Sequence, residues 1–227
     1  YDIVGYSTNN CPDVYAQCYE RSLSLLNTNG RHAFIVMLSL SFSDDFKTLR
    51  KLIADRNGAE WWSSYGKRPD ALFTGIQVRN TILIVAPGSG TFATCHNLFT
   101  SEARTHLFGG LKYYKVARES SDVPLRAGIA LNLVKALKSA PKIAASKRSA
   151  KSHIYIRPTG QYWFPALFNN IPMLDGQFNI VESPDPGNII APLADDEFPE
   201  IAGAVCAGKL GYLWWSATAD DFHVAIK

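Results

Sequence analysis

Residues 81–91, TILIVAPGSGT, combine an apolar, β-branched run with a glycine-rich turn that is followed by threonine. A phosphate-binding loop has this general order, because its glycines expose backbone N–H groups and a lysine meets the phosphates. Thr91 stands where such a loop needs its lysine, and the next residues have the pattern of a strand rather than of a helix. The glycines are therefore predicted to turn the chain between two strands.

Other residues with catalytic potential are too scattered to form a recognised catalytic pattern. No GxSxG elbow is present, and the adjacent Asp220 and Asp221 are typical of a loop. The five histidines lie far apart without an HExxH spacing: His32, His96, His106, His153 and His223. The four cysteines lack zinc-site spacing and are too few for a disulfide scaffold: Cys11, Cys18, Cys95 and Cys206. We expect a reduced protein without a metal site, in which His32 is structural.

Charge is segregated along the second half of the chain. No acidic residue lies between Asp122 and Asp175, a window with eight cations: Arg126, Lys135, Lys138, Lys142, Lys147, Arg148, Lys151 and Arg157. From residue 158 to 208 the sign reverses, with no lysine or arginine and seven acidic residues. Such segregation produces a directional field that suits the binding of a polyanion. The alternative is a solvated basic face or a disordered loop.

Aromatic side chains accompany this basic window. Tyr162 and Trp163 come shortly after its last cation, Arg157, and Trp214 and Trp215 lie in a predicted helix. Aromatic rings beside cations fit nucleic-acid contact, in which rings stack on bases and cations meet phosphates. Tryptophan is also a common core residue with one polar atom. The core interpretation is favoured for Trp214 and Trp215, and both interpretations stay open for Tyr162 and Trp163.

The first half of the chain has the alternating pattern of an α/β domain. Amphipathic periodicity predicts helices over 13–26 and 44–56, the second capped by Ser43. The continuous apolar run 31–38 between them is typical of a strand that is buried on both faces. Residues 61–65 and 71–86 then predict a hairpin or a pair of edge strands.

The second half of the chain is less regular. We predict a short helix at 128–138, a mobile segment at 138–152 and an aromatic strand at 154–168. A helix with small residues on one side is predicted at 198–217, and 221–227 resembles the start of a strand that is cut off. The predicted domains are 1–115, an α/β domain, and 116–227, a region truncated at its C-terminus.

The order of these segments resembles the adenine-N6 DNA methyltransferases of restriction-modification systems. DVYAQCYERSLSLL, GRHAFIVM and DDFKTLRKLIAD resemble the helix, strand and helix that follow the catalytic loop of that family. ALFTGIQVRNTILIVAPG resembles a late strand with an F-x-G-x-x-x-R pattern, and YLWWSATADDFHV resembles a segment of the target-recognition part. The resemblance covers most of residues 10–115 and then 200–225.

The resemblance implies a fold and a division of labour. The fold would be α/β, the second half of a Rossmann-like class I methyltransferase sheet with an antiparallel edge, followed by an α+β DNA-recognition region. The glycine-rich cofactor loop and the Asn-Pro-Pro-Tyr loop of the family are absent from this sequence. No catalytic or cofactor-binding residue is therefore assigned, and S-adenosylmethionine is expected only in a full-length parent with the missing N-terminal half.

Individual roles follow from the same resemblance. The enzyme must flip its target base out of the duplex, and Tyr65 and Phe73 are candidate walls of the receiving pocket. The candidate phosphate contacts are Lys142, Lys147, Arg148, Lys151 and Arg157. Gln161, Tyr162 and Asn169 are candidates for base edges, with Trp163 beside them.

The first hypothesis is thus a fragment of an adenine-specific DNA methyltransferase that recognises double-stranded DNA. The alternative is a non-catalytic nucleic-acid or protein-binding module with a degenerate methyltransferase fold. No apolar run reaches the roughly 18–20 residues of a membrane span, and the first residues lack the layout of a signal peptide. We therefore expect no membrane partner and a cytoplasmic location.

Overall fold

The computed structural model separates the chain into two compact units. Unit 1 is Tyr1–Leu131 and unit 2 is Asn132–Lys227. The structure describes residues 4–56, 58–116, 136, 139, 151–156, 166–167, 172–182, 189–193 and 199–218. The domain boundary predicted near residue 115 stays a prediction, because 117–135 lie outside this set.

The described part of unit 1 contains two α-helices and five strands. The helices are α1, Tyr15–Leu25, and α2, Lys47–Asp55. The strands are β1, His32–Met37; β2, Ala59–Tyr65; β3, Asn80–Ala86; β4, Thr91–Asn97; and β5, Tyr114–Val116. Single 3-10 turns lie at Ser7–Asn10, Leu38–Ser41, Asp44–Phe46 and Glu102–His106. Both predicted helices and the strand between them are confirmed.

The predicted cap of the second helical segment is also confirmed. The hydroxyl of Ser43 accepts a hydrogen bond from the backbone N–H of Asp45 at 3.3 Å. A 3-10 turn, Asp44–Phe46, precedes α2, so the chain enters the helix through a tighter first turn than predicted. Asp44 and Asp45 lie in that first turn, where the exposed N–H groups favour negative charge.

The five strands form one mixed, mostly antiparallel sheet in the order β1-β3-β2-β4-β5. β2 and β4 are parallel, and the other three pairings are antiparallel. It follows that β1, β2 and β4 run in one direction and β3 and β5 in the other. β1 and β5 are the two edge strands, and each is antiparallel to its neighbour.

One face of the sheet packs against the helices. Trp62 and Leu83 are fully buried there, together with Tyr19 of α1 and Leu49 of α2. Trp62 Nε1 donates to Glu60 Oε2 at 2.8 Å, so both buried polar groups are paired. Arg50 of α2 is also buried, and its guanidinium donates to the Leu40 and Ser43 carbonyls at 2.9 and 2.7 Å.

The prediction that residues 31–38 form a strand buried on both faces is wrong. β1 is the first strand in the sheet order, and its burial alternates. Val36 faces the helices, whereas Ile35 is 52% exposed and Met37 is 45% exposed. A continuous apolar run does not reveal which of its faces the rest of the fold covers.

The predicted strand pair 61–65 and 71–86 is confirmed as two antiparallel neighbours, with two corrections. Residues 71–79 are not a strand, because β3 begins only at Asn80. The pair also lies inside the sheet rather than at its edge, since β3 sits between β1 and β2. β4 follows the glycine turn, as the strand pattern of TFATCHNLF predicts, and Gly88 and Gly90 have positive φ.

The described stretches of unit 2 that form sheets and longer helices are two small sheets and the two helices of residues 199–218. β6, Ser152–Ile156, lies between β10, Ile189–Leu193, and β7, Ala166–Leu167, and all pairings are antiparallel. β8, Pro172–Leu174, and β9, Ile180–Glu182, form a separate hairpin. The apolar core includes Ile154, Leu193, Ala202 and Trp215.

The single helix predicted at 198–217 is two helices. α3 is Pro199–Ala207 and α4 is Lys209–Thr218, with Gly208 between them. A Cβ on Gly211 would lie 1.9 Å from the Cys206 carbonyl oxygen, so the turn requires glycine there. Within the described residues, no helix has the length and hydropathy needed to cross a bilayer.

Candidate functional site

Four neighbouring strands of the unit 1 sheet begin or end at the same level, so their terminal residues form one row across the sheet. Asn80, the first residue of β3, is in register with Met37 and with Tyr65, the last residues of β1 and β2. Tyr65 is in turn in register with Asn97, the last residue of β4. The carboxyl ends of the three strands that share a direction therefore lie together. In open α/β sheets, ligands bind beyond the carboxyl ends of the strands.

Side-chain amides and hydroxyls fix this row. Asn97 Nδ2 donates to the Ser64 carbonyl and to the Thr94 hydroxyl, both at 3.0 Å. Thr81 Oγ1 donates to the Ser63 carbonyl at 3.1 Å, and Asn80 Nδ2 to the Val36 carbonyl at 3.4 Å. The bonds to the Ser64, Ser63 and Val36 carbonyls join neighbouring strands at these ends, and the bond to Thr94 lies within β4.

A small apolar cluster lies in the loops that follow β2 and β4. Tyr65, Leu72 and Phe99 are buried in it. The Tyr65 ring makes edge contacts with the rings of Phe99 and Phe108, at centroid distances of 6.5 and 6.2 Å. Burial raises the pKa of the Tyr65 hydroxyl despite a hydrogen bond to Ser63 Oγ at 3.0 Å. Tyr65, predicted as a pocket wall, therefore lies beneath the surface as a neutral packing residue.

Phe73, the second predicted pocket residue, is on the surface. It lies in the connection between β2 and β3, and the residue is 42% exposed. Its chain neighbour Leu72 points into the apolar cluster. Exposed aromatic rings are available to stack on a flat ligand such as a nucleobase.

Arg104, which was not a candidate in the sequence analysis, holds the connection between β2 and β3 through hydrogen bonds. It lies in the Glu102–His106 turn, and its guanidinium donates to the Asp70 carboxylate, the Ala71 carbonyl and the Thr74 hydroxyl. Arg104 is 30 or more positions away from these partners in the sequence. No local spacing signals such a contact, because only the fold brings the two segments together.

The connection between β2 and β3 carries further positive charge. Lys67 and Arg68 follow β2 after Gly66, and Arg79 directly precedes β3. All three are partly exposed. Together with Arg104 they give the connections between strand ends more cations than acids, since residues 66–80 contain only Asp70 as a carboxylate. A local excess of cations in the sequence is compatible with a phosphate-bearing ligand.

The predicted DNA-contact residues all fall within the sequence range of unit 2, and most of them are outside the described residues. These are Lys142, Lys147, Arg148, Arg157, Gln161, Tyr162, Trp163 and Asn169. Lys151 is described: it is exposed, and its backbone N–H donates to the Leu193 carbonyl at 3.0 Å beside β6. Its side chain is therefore on the surface of unit 2, and the grouping of the basic window stays a prediction.

Three further aromatic or histidine side chains make packing or hydrogen-bond contacts within their own unit. Trp215 is buried in the unit 2 core, as favoured, and Trp61 stacks on Phe92 at 5.6 Å on the sheet face opposite the helices. His32 is held between Tyr19 and Arg56. In the part of the chain that the structure describes, no three His, Cys, Asp or Glu side chains group as metal ligands. The four cysteines are all unbridged.

Comparison with known proteins gives little. No protein-family model and no curated protein matches the chain. Solved structures do match, among them a cryo-EM structure of a DrdV–DNA complex, with 13% identity and a TM-score of 0.43. The match covers 70% of this chain but only 19% of that chain, so this chain spans about a fifth of the length of that protein. A similarity at this level does not assign a fold family or a function.

Proposed function

We propose that this chain is part of an adenine-specific DNA methyltransferase, in which it recognises duplex DNA and forms one wall of the pocket for the target base. The observation that carries the proposal is the exposed residue Phe73, which lies in the loop after β2 that Arg104 holds through hydrogen bonds. An exposed aromatic residue in this loop has the chemistry to stack on a base outside the duplex.

The order of elements in unit 1 supports the proposal. The segments with resemblance to the methyltransferase family are α1, β1, α2 and the β2–β3 pair, in that order. β1 and β2 run in the same direction and are joined through α2, with β3 antiparallel between them. This arrangement is compatible with the second half of a Rossmann-like sheet, which is how we interpret it.

The residues then divide between two tasks. Phe73 would stack on the extruded adenine, supported from below by Tyr65 and Leu72. The basic window would hold the sugar-phosphate backbone through Lys142, Lys147, Arg148, Lys151 and Arg157. Backbone contacts position a protein on DNA, and base contacts give specificity, so Gln161 and Asn169 would read base edges.

Methyl transfer itself requires a cofactor site and a catalytic loop that we do not identify in this sequence. S-adenosylmethionine would donate the methyl group in the full-length parent, and the N-terminal half would supply the cofactor loop and the Asn-Pro-Pro-Tyr loop. What this chain contributes is binding energy and a surface for the extruded base. The chain on its own is therefore expected to bind DNA without transferring methyl groups.

The test uses the full chain and two duplexes that differ by one unpaired adenine. Flipping a paired base costs a few kcal/mol, and an unpaired base avoids most of that cost. The wild type should bind the duplex with the bulged adenine more tightly than the fully paired duplex. Phe73→Ala should reduce that preference about five-fold or more, because stacking on an aromatic ring contributes about 1–3 kcal/mol per base, and Phe73→Trp should keep it.

Phe178→Ala is the matched control, since Phe178 is an aromatic residue of unit 2 that is 83% exposed. It should leave the preference unchanged. Absence of DNA binding by the wild type would contradict the proposal. Binding without any preference for the bulged adenine, and without an effect of Phe73→Ala, would support the alternative, a non-catalytic nucleic-acid-binding module.

A further inference from the structure

The connection between β2 and β3 is long but firmly attached. Residues 66–79 contain no strand or helix, and connections of this length are commonly mobile. Here the backbone N–H of Asp70 donates to the Phe99 carbonyl at 3.1 Å, and Leu72 is buried against Tyr65 and Phe99. The first part of the loop is thus fixed to the segment that follows β4.

Phe73 lies in the stretch that Arg104 brackets. One terminal nitrogen of Arg104 pairs with the Asp70 carboxylate and donates to the Ala71 carbonyl at 3.1 Å, before Phe73 in the chain. The other terminal nitrogen donates to the Thr74 hydroxyl, after Phe73. The side chains of Arg104 and Asp70 are only 25% and 23% exposed, so solvent screens their attraction less than it would on an open surface.

These contacts suit arginine specifically. The guanidinium is a planar fork with donors in fixed directions, whereas a lysine amine is a single compact charge on a flexible stem. Only a fork can hold the carboxylate on one side of Phe73 and the hydroxyl on the other at the same time. Both sides of Phe73 are thus held, while Leu72 is buried in the apolar cluster and Phe73 is 42% exposed.

We propose that Arg104 is a positioning residue that holds the Phe73 loop ready for stacking on an unpaired base. This inference rests on the proposed function of the chain. Preorganisation raises affinity by removing the cost of ordering the loop when the ligand binds. Loss of the clamp should therefore weaken the contact that Phe73 makes, without removing the ring.

The experiment compares the variants Arg104→Lys and Arg104→Gln with the control variant Arg21→Gln. Arg21 is an exposed residue of α1, and among the described side-chain hydrogen bonds its guanidinium contacts only Ser24. Both Arg104 variants should lose at least three-fold of the preference for the bulged adenine, and Arg21→Gln none. A purely electrostatic role would leave Arg104→Lys unchanged and would overturn the proposal. Thr74→Val, at an exposed position, should show a smaller loss and serves if the Arg104 variants fold poorly.

Two further measurements separate positioning from general destabilisation. Amide hydrogen exchange of residues 70–79 without DNA should be faster in both Arg104 variants, with exchange in β2 and β3 unchanged. In a Phe73→Ala background, Arg104→Gln should cause no further loss of preference, since there is no ring to position. An equal loss in both backgrounds, or unchanged exchange in the loop, would overturn the proposal.

The proposed function and this inference fail in different ways. If the wild type shows no preference for the bulged adenine, the proposed function fails, and the exchange rates alone decide whether Arg104 holds the loop. If the wild type and Phe73→Ala behave as expected but Arg104→Lys and Arg104→Gln match the wild type in preference and exchange, only the positioning role is overturned.

Discussion

His32 is kept neutral by its neighbours at the start of β1. Its Nδ1 lies 3.2 Å from a terminal nitrogen of Arg56, and its Nε2 lies 2.5 Å from the Tyr19 hydroxyl. Arginine only donates hydrogen bonds, so Nδ1 must accept and Nε2 must carry the proton. Burial, and then the charge of Arg56, lower the pKa of His32 to about 4.

This lowered pKa predicts a loss of stability in mild acid. The unfolded chain takes up a proton at His32 near its ordinary pKa of about 6.5, whereas the folded chain resists until about pH 4. The contribution is complete above about pH 6.5 and disappears as the pH falls towards 4. Between pH 7.5 and 5, we expect the free energy of unfolding of unit 1 to fall by about 1–2 kcal/mol, measured by urea denaturation.

His32→Gln should make the free energy of unfolding nearly constant over the same pH range, although it lowers its value at neutral pH. His106→Gln, at an exposed position, is the control and should follow the wild type. An equal acid-induced loss in the wild type and in His32→Gln would show that another group is responsible. Glu20 does not interfere, because hydrogen bonds from Ser7 and Thr8 outweigh its burial and lower its pKa, so its contribution is lost only in stronger acid.

At the level of elements, the turn between β3 and β4 shows why the glycine-rich stretch is structural. Gly88 and Gly90 have φ values of 131° and 104°, which residues with a Cβ rarely adopt. The Gly90 carbonyl also accepts a hydrogen bond from the backbone N–H of Glu60 at 3.0 Å, which continues the pairing of β2 with β4. The glycines thus form a turn between two strands, as we predicted because Thr91 stands where a phosphate-binding loop would need a lysine.

Gly90→Ala should therefore destabilise unit 1 by about 1–3 kcal/mol through backbone strain, since a Cβ there would have room beside the Phe92 ring. The matched control is Gly109→Ala, where a Cβ would be 3.7 Å from the His106 carbonyl oxygen at an ordinary φ. Thermal unfolding of the two variants is the measurement. Equal stability of Gly90→Ala and the wild type would show that the turn relaxes without cost.

Elements of local origin were the predictable part of this fold. The helices, β1 and the Ser43 cap follow from periodicity and capping within a few residues. The insertion of β3 between β1 and β2 was not predictable, because the pairing joins residues more than 40 positions apart, such as Met37 and Asn80. The Arg104 contacts were missed for the same reason, whereas Phe73 became a candidate only through the resemblance and stays a prediction.

For the whole molecule, the contrast is between the mixed charge of unit 1 and the basic window of 126–157. In unit 1, Lys47 and Lys51 pair with Asp44 and Asp55 on the helix surface, at 3.5 and 2.8 Å. Such exposed pairs contribute little to stability and leave little net field. The basic window contains no acidic residue, so its cations have no neighbour in sequence to neutralise them.

This contrast predicts which lysines and arginines respond to salt. Each phosphate contact releases counterions, and the logarithm of the binding constant falls with the logarithm of the salt concentration by about 0.9 per contact. Charge reversal at Lys147 and Arg148 should weaken duplex binding for all sequences and reduce that slope by up to about 2, measured between about 50 and 200 mM salt. Reversal at Lys47 and Lys51 should leave the slope unchanged. If both double variants keep the wild-type affinity and slope, the basic window does not contact the DNA backbone, and the duplex must be bound elsewhere.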